Sequence, residues 1–114
     1  LLMPSRFEPC GLTQLYAMRY GAIPIVRATG GLRDTVAPFD PVTRQGTGFV
    51  FAEPTSEALL GAVRTAVAVF ADKAAWRQLQ RNAMAQDFSW ERAAQQYIEV
   101  YQRAVAEKLR TTNA

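Results

Sequence analysis

The sequence predicts an α/β domain with a short parallel sheet, flanking helices and a helical C-terminal half. Short apolar runs in residues 1–54 alternate with a helix-period segment and with loop residues, the βαβ pattern of a parallel sheet. All seven glycines and all six prolines lie at or before Gly61, and the rest of the chain is rich in Ala, Gln and Arg. We therefore expect an α/β part over residues 1–54, helices over residues 55–109 and a frayed polar tail over residues 110–114.

Three short apolar runs predict the strands of this sheet. They extend from Leu1 to Met3, from Ala22 to Val26 and from Gly48 to Phe51. Between the first two runs, apolar residues at helical spacing from Leu12 onwards predict a helix that ends at Gly21. A single helical turn is expected around residues 32–36. Because three strands are few for such a sheet, we expect further strands before Leu1.

Three more helices are predicted in the second half, where apolar residues recur at intervals of three and four. The segment Pro54-Thr55-Ser56 opens the first, while Asp72 and Ser89 are suitable N-caps for the second and third. The expected inner faces are Leu59, Leu60, Val63, Val67 and Phe70, then Trp76, Leu79 and Ala83, and finally Trp90, Ala93, Ala94, Tyr97, Ile98, Tyr101 and Val105. We expect the last stripe to pack on the helices of the sheet.

Composition argues against several classes of function. The net charge is +3, from 13 basic and 10 acidic residues, and the basic residues are scattered rather than clustered as in a nucleic-acid arm. With Cys10 as the one cysteine and no histidine, an internal disulfide is excluded and a transition-metal site is not expected. No apolar run approaches the ~20 residues that cross a membrane. We therefore expect neither nucleic acid nor membrane as a partner.

Residues 5–13 lie between the first predicted strand and the first predicted helix. In a parallel α/β sheet this is the edge where ligands bind. We expect Cys10, Gly11 and Leu12 to open the helix, so their N–H groups would lack intrahelical partners and point toward the cleft. Together with the helix dipole they would form an anion site suited to a pyrophosphate, and the Thr13 hydroxyl would add a donor.

Three features of this edge of the sheet have more than one interpretation. Glu8 could accept hydrogen bonds from sugar hydroxyls, be a solvated loop acid, or be a charge partner of the helix N-terminus. Cys10 fits an inert, half-buried residue better than a nucleophile, because no residue here can serve as its base. The pair Gly30-Gly31 follows the second strand, where it could direct backbone donors into the same cleft or form a plain turn.

Two motifs in the first half resemble those of a known family. Residues 4–21, PSRFEPCGLTQLYAMRYG, resemble the signature of glycogen and starch synthases that use ADP-glucose, and residues 29–36, TGGLRDTV, resemble a second motif of that family. Residues 46–49 and 88–90 also match. The resemblance implies part of the C-terminal Rossmann-like domain of a GT-B glycosyltransferase. It further implies transfer of glucose from ADP-glucose to the non-reducing end of an α-1,4-glucan, without a metal or another cofactor.

The resemblance also implies a set of donor-binding positions. They are Glu8, Cys10, Gly11, Leu12, Thr13, Tyr16, Thr29, Gly30 and Gly31. Glu8 would hold the donor glucose through its hydroxyls, the backbone of residues 10–12 would contact glucose and the distal phosphate, and Thr13 would bind phosphate. Tyr16 stands where more distant GT-B transferases have a glutamate that holds the ribose. Residues 29–31 would line the same cleft.

By the same resemblance, catalysis needs groups outside this chain. They are an Arg and a Lys from earlier in the C-terminal domain and residues, including a His, from an N-terminal domain. We therefore name no catalytic residue here, expect the chain to be a piece of a longer protein and expect it to be inactive alone. A truncated sheet exposes an edge and an apolar face, so the isolated chain is expected to self-associate. The C-terminal helix of GT-B enzymes crosses to the N-terminal domain, so part of the last stripe could be a contact with it.

Two other functions stay open from the sequence. A GT-B transferase fragment could use UDP-glucose or another donor, because most of the selection of the base lies outside these residues. The chain could also be a non-catalytic binding module. The family resemblance implies a cytoplasmic protein in a bacterium and a plastid protein in a plant.

Overall fold

The computed structural model describes residues 1–113 and contains a three-stranded parallel sheet. The strands are β1 (Leu2–Met3), β2 (Ile25–Arg27) and β3 (Phe49–Phe51), in the order β1-β2-β3. The sheet is as short as predicted. Its second strand begins at Ile25 rather than Ala22. The Leu1 amino group donates to the Ile23 carbonyl at 2.9 Å and the Ile25 N–H donates to the Leu1 carbonyl at 2.7 Å, while Pro24 between them has no N–H to donate.

Five helices accompany the sheet in the described residues. They are α1 (Thr13–Arg19), α2 (Gly30–Thr35), α3 (Ser56–Ala71), α4 (Lys73–Met84) and α5 (Trp90–Thr112). Helix α1 is the next element after β1, and α2 is the next element after β2, as a βαβ unit requires. The single turn expected around residues 32–36 is a six-residue helix that begins two residues earlier.

The predicted helix starts in the second half are confirmed. Thr55 Oγ1 accepts a hydrogen bond from the Ala58 N–H at 3.2 Å, and this bond caps α3. Asp72 Oδ1 accepts from two backbone N–H groups, at 3.0 and 3.1 Å, and caps α4. Ser89 Oγ accepts from the Arg92 N–H at 3.4 Å at the start of α5. These caps satisfy N–H groups that have no partner inside the helix.

The hydrophobic core lies between the sheet and the helices α3 and α4. Val26 in the central strand and Leu79 in α4 are fully buried, and the predicted inner face of α4 is confirmed. The predicted inner face of α3 is only partly correct. Leu59 and Val63 pack against the core, but Leu60, Val67 and Phe70 are exposed and the helix buries Ala66 and Val69 instead. Because α3 is apolar around most of its circumference, spacing alone could not select the face that the sheet covers.

Helix α5 buries no residue, so the expectation that its apolar stripe packs on the helices of the sheet is wrong. Tyr97 and Tyr101 are 62% and 64% exposed, and their rings contact each other with centroids 6.4 Å apart. The helix also continues to Thr112, past the start of the tail that we expected to fray. Within residues 1–113 no helix is both long and apolar enough to span a membrane.

Candidate functional site

The loop of residues 4–12, between β1 and α1, meets the start of α2 at the carboxyl edge of the sheet. The Gly31 N–H donates to the carbonyls of Glu8 and Pro9, at 3.2 and 3.1 Å. Two predicted site segments, residues 5–13 and 29–31, therefore lie against each other, as expected for loops that follow neighbouring parallel strands.

The pair Gly30-Gly31 allows this contact because it has no side chains. A Cβ atom on Gly31 would lie 1.9 Å from the Cys10 carbonyl oxygen, and one on Gly30 would lie 1.9 Å from that of Glu8. Gly30 also has a positive φ of 46°. Since the Gly31 N–H is already bonded to loop 4–12, Gly31 supports that loop in this structure, and the proposed backbone donor into the cleft is not found at this residue.

Gln14 is a second support of loop 4–12 and is not among the residues predicted from the sequence. Its side chain is completely buried, and Nε2 lies 2.9 Å from the Gly11 carbonyl oxygen and 3.3 Å from that of Cys10. The same nitrogen lies 3.1 Å from Thr35 Oγ1, whose hydroxyl donates to the Gly31 carbonyl at 2.6 Å. The available signal was that Gln14 is one helical turn before the fully buried Met18 and so faces the core.

Arg27 is a third support of loop 4–12 and was likewise not predicted from the sequence. Its Nη1 donates to the Arg6 carbonyl at 2.7 Å and to that of Ser5 at 3.4 Å, while Nε donates to the Ala52 carbonyl at 3.0 Å. The side chain thus connects the ends of all three strands. A charged residue that ends an apolar strand run at the carboxyl edge was the available signal.

These supports fix which way the peptide groups of loop 4–12 face. The carbonyls of residues 8–11 accept bonds from the protein interior, and in a planar trans peptide the following N–H points the opposite way. Within residues 1–113, no backbone acceptor takes the N–H groups of Cys10, Gly11, Leu12 or Thr13. They form a row of outward-facing donors, the arrangement of a backbone nest that binds anions.

The prediction that residues 10–12 open the first helix is wrong in detail. Helix α1 begins at Thr13, Leu12 is its N-cap, and Gly11 has a φ of 70° that a helix cannot contain. Most of the donors therefore belong to the loop. The seven-residue helix supplies only the Thr13 N–H of this row, and the held loop carbonyls orient the others.

Glu8 is the acidic side chain of loop 4–12 and is half-buried. Its Oε2 lies 3.5 Å from the Ser5 hydroxyl, and no first-turn N–H of α1 in the described chain donates to its carboxylate. Glu8 therefore makes no capping hydrogen bond to α1. Acceptance of hydrogen bonds from a ligand, a loop acid in solvent and a charge partner of the helix N-terminus all remain compatible with its position.

The other predicted site residues are on the surface. The side chains of Cys10, Leu12 and Thr13 are exposed, and Thr29 is half-buried at the N-cap of α2. Tyr16 is exposed on α1 and borders a groove of about 510 Å³. Leu12, Arg19, Phe88 and Trp90 also line this groove. Among residues 1–113, no three His, Cys, Asp or Glu side chains come close enough to hold a metal ion.

A parallel α/β unit with helices after its first two strands defines the class of this chain, a Rossmann-like domain. The particular family follows from comparison with known proteins. The chain belongs to the glycosyl transferases group 1 family, whose family model matches residues 1–83.

Named relatives agree with this family. Glycogen synthase of Koribacter versatilis is 58% identical over 103 residues, which are 90% of this chain and 21% of that protein. Soluble starch synthase 1, chloroplastic/amyloplastic, of Solanum tuberosum is 55% identical over 106 residues, with 89% of this chain and 16% of that protein covered. The chain spans about a fifth of the length of the curated relatives it matches. The resemblance to glycogen and starch synthases is confirmed.

Solved structures place the fold in the same group. The catalytic domain of starch synthase IV from Arabidopsis thaliana, bound to ADP and acarbose, matches with a TM-score of 0.76 and 41% identity, over 92% of this chain and 22% of that one. Sucrose-phosphate synthase from Thermosynechococcus elongatus matches with a TM-score of 0.64 and 32% identity, over 93% and 25%. The predicted fold class, part of the C-terminal Rossmann-like domain of a GT-B glycosyltransferase, is confirmed.

Proposed function

We propose that this chain is the donor-binding part of a glucosyltransferase of the glycogen and starch synthase type. In the complete polypeptide to which these residues belong, the reaction moves glucose from ADP-glucose to the non-reducing end of an α-1,4-glucan. The observation that supports this most directly is the row of outward N–H groups at residues 10–13, at the sheet edge where a nucleotide diphosphate binds in such domains. The similarity to glycogen and starch synthases supports the choice of sugar and acceptor.

In this proposal, the N–H groups of residues 10–12 bind the distal phosphate and the Thr13 hydroxyl adds a donor. Negative charge grows on the diphosphate as the bond to glucose breaks, and fixed donors stabilise charge that develops in a transition state. Because the loop carbonyls are already held from behind, the donors need no reorganisation during the reaction. Their contribution is therefore electrostatic and positional, and the chain has no nucleophile or base in this role.

Glu8 has a different task in the proposal. A carboxylate so close to an anion site would repel the phosphate, so we assign it to the glucose hydroxyls, which can donate hydrogen bonds to it. The half-buried carboxylate has the Ser5 hydroxyl at 3.5 Å from Oε2, which leaves lone pairs free to accept from a ligand. Tyr16, on the same side of α1 as Leu12, is assigned to the ribose and the groove beside it. Thr29, Gly30 and Gly31 complete the wall of the cleft from the second loop.

The chain should be catalytically inactive alone, because the cationic groups and the facing domain that the family uses lie outside these residues. Its proposed partners are ADP-glucose, the α-glucan and that facing domain. A bacterial protein of this type would act in the cytoplasm and a plant one in the plastid.

Substitution of Glu8 tests the assignment to the sugar. In the complete polypeptide, Glu8→Ala removes acceptors for the glucose hydroxyls; two bonds to a charged group, each about 1.5–3 kcal/mol, predict a loss of kcat of at least about 100-fold. Steady-state transfer of glucose to glycogen measures it, and circular dichroism reports the fold. Glu57→Gln, an exposed acid in the first turn of α3, is the matched control and should keep its activity. Near-normal turnover of Glu8→Ala would refute the role.

Donor competition tests the nucleotide. We expect ADP-glucose to support transfer and UDP-glucose to compete poorly in the complete polypeptide. Transfer from UDP-glucose alone would contradict the proposed donor but keep the transferase. Absence of transfer from either donor would favour a non-catalytic binding module.

The isolated 114-residue polypeptide is expected to self-associate. The apolar face of α5 is exposed at Ile98, Val105 and Leu109, and β1 and β3 are both edges of the sheet. Unpaired edges and apolar patches promote association. Sedimentation velocity over a range of concentrations measures it, and a clean monomer at high concentration would contradict the expectation.

A further inference from the structure

The buried amide of Gln14 is an unusual choice of core residue. Gln14 and Thr47 are the buried polar side chains of the described residues, and Gln14 has no exposed surface at all. Its Oε1 atom has no hydrogen-bond partner among residues 1–113. A buried, unsatisfied polar atom costs about 1–3 kcal/mol, a cost that an apolar side chain of similar size, such as methionine, would avoid. We therefore attribute the presence of an amide at this position to the hydrogen bonds that its Nε2 donor makes.

Nε2 has a definite arrangement of acceptors. It lies within 3.3 Å of the carbonyl oxygens of Cys10 and Gly11 and of Thr35 Oγ1. Two of these three atoms are carbonyls that can only accept, so the end that faces them must be the donor. The Thr35 hydroxyl gives its proton to the Gly31 carbonyl, which leaves its oxygen free to accept from Gln14. Thr35 thus holds the amide in place and connects it to the second loop.

We propose that Gln14 is a positioning residue for the diphosphate of the donor, an inference that rests on the proposed function. By holding the carbonyls of Cys10 and Gly11 inward, Nε2 turns the N–H groups of Gly11 and Leu12 outward, because the two groups of a trans peptide point in opposite directions. A rotation of either peptide would present a carbonyl oxygen to the phosphate and repel it. Gly11, with a φ of 70°, gives the backbone the freedom to adopt this orientation.

A purely structural role for Gln14 predicts a different outcome of substitution. If the side chain only fills the core, its loss lowers the stability of the whole domain and weakens all ligands alike. If it orients two peptide groups, its loss weakens those ligands that carry a diphosphate and spares those that do not. The ratio of the affinities for ADP and adenosine separates the two roles.

The test uses Gln14→Met in the complete polypeptide, with ADP and adenosine as probes in titration calorimetry. Methionine has a similar length and cannot donate to the two carbonyls. Loss of positioned hydrogen bonds to a charged group predicts an ADP affinity lower by about 10- to 100-fold. We expect the affinity for adenosine to stay within about threefold of wild type, the scatter of substitutions without a direct contact. The ratio of ADP to adenosine affinity should therefore collapse.

Gln80→Met is the matched control. Gln80 Nε2 donates to the Gly21 carbonyl at 3.0 Å, which is the same chemistry at the opposite end of α1. This variant should keep the wild-type ratio of ADP to adenosine affinity.

Thr35→Val is a second test variant that conserves shape and removes the hydroxyl that holds the Gln14 amide. Thr35→Val removes the bond from Gln14 and the bond to the Gly31 carbonyl, and loss of the first alone predicts a fall in the ratio of about 3- to 10-fold.

The outcomes separate the inference from the proposed function. A wild-type polypeptide that binds ADP no better than adenosine would contradict the diphosphate site itself. A wild-type preference for ADP that persists in both Gln14→Met and Thr35→Val would overturn the role of Gln14 and leave the site standing. Should Gln14→Met fail to fold, an unchanged ratio in Thr35→Val alone would overturn it, and a lowered one with Gln80→Met unaffected would support it.

Discussion

Loop 4–12 and helix α5 differ in a way that reverses the usual expectation for loops and helices. The loop has no regular secondary structure, yet the carbonyls of Ser5, Arg6 and residues 8–11 are held by groups from α1, α2 and β2. Helix α5 is 23 residues of regular structure, and it buries none of them. Regular backbone bonds keep α5 helical, but they do not fix where it lies. The tertiary bonds to loop 4–12 fix its position without giving it a regular shape.

The difference shows where a binding site can be built. A phosphate site needs backbone N–H groups placed to within a fraction of an ångström, and the bonds behind loop 4–12 supply that constraint. An apolar helix face needs only a complementary surface. The supports of loop 4–12 lie within this chain, whereas no described residue covers the apolar face of α5.

The largest expected effect comes from filling the space between the two loops. In Gly31→Ala the new Cβ would lie 1.9 Å from the Cys10 carbonyl oxygen and would meet backbone, which cannot move aside like a flexible side chain. Overpacking of this kind costs about 1–3 kcal/mol or more, and the displaced loop would lose the orientation of its donors. We expect ADP binding in the complete polypeptide to fall by at least about 100-fold, measured by calorimetry.

Gly61→Ala is the control for that substitution. A Cβ at Gly61 meets nothing within 4 Å, and the residue lies inside α3. Alanine in place of glycine in an exposed helix should raise the free energy of unfolding by about 0.5–1 kcal/mol and leave ADP binding unchanged. Normal ADP binding by Gly31→Ala would show that close contact between the loops is not needed for the site.

The sequence allowed the prediction of features that depend on near neighbours. The caps Thr55, Asp72 and Ser89 bond to N–H groups two or three residues away, and such local chemistry is visible in the sequence. The strands followed from three apolar runs, and the meeting of residues 5–13 with residues 29–31 followed from the geometry of parallel sheets.

The supports of the site could not be predicted in this way. Gln14 bonds to Thr35 and Arg27 bonds to Arg6, residues that are 21 positions apart in each case. A sequence shows that a polar residue is present at such a position but not which carbonyl it will reach. The prediction that α5 packs on the helices of the sheet failed for a related reason. Periodicity identifies an apolar face without showing what covers it. The predicted start of α1 was too early because Gly11 adopts a left-handed conformation that a helix cannot contain, so the helix begins only after it.

Truncation of one leucine in each region tests the contrast in packing. Leu79 in α4 has no exposed surface, so Leu79→Ala should lower the free energy of unfolding of the 114-residue polypeptide by about 2–5 kcal/mol. Leu109 in α5 is 58% exposed, so Leu109→Ala should change it by less than about 0.5 kcal/mol. Urea unfolding at low protein concentration measures both. Equal losses would mean that α5 is packed in solution.

The same two substitutions, measured by urea unfolding of the complete polypeptide, sharpen the comparison. Leu79→Ala should cost as much as before, since its surroundings lie within this chain. A larger cost of Leu109→Ala in the complete polypeptide than in the 114-residue one would show that further residues cover the α5 face.

The smallest expected effect is a pH dependence at the junction that leads into α5. The Ser89 hydroxyl, then the Ser89 N–H, hold the pKa of Asp87 below its usual range, with a smaller contribution from the charge of Arg92. A carboxyl whose pKa is lower in the folded state stabilises that state above its unfolded pKa, and the stabilisation is lost as the pH falls through the folded pKa. Asp87→Asn should therefore be slightly less stable than wild type at pH 6, and the difference should shrink as the pH falls below the usual aspartate pKa of about 3.9, to vanish only below the lowered pKa of the folded state. Urea midpoints at pH 6 and pH 3 measure it.

Asp40 is the internal comparison, because the Val42 N–H lowers its pKa in a loop of the α/β half, and Asp40→Asn should show the same sign. If the midpoints of wild type and Asp87→Asn fell in parallel from pH 6 to pH 3, the bonds to Ser89 would not be formed in solution, and the turn that leads into α5 would lack this support.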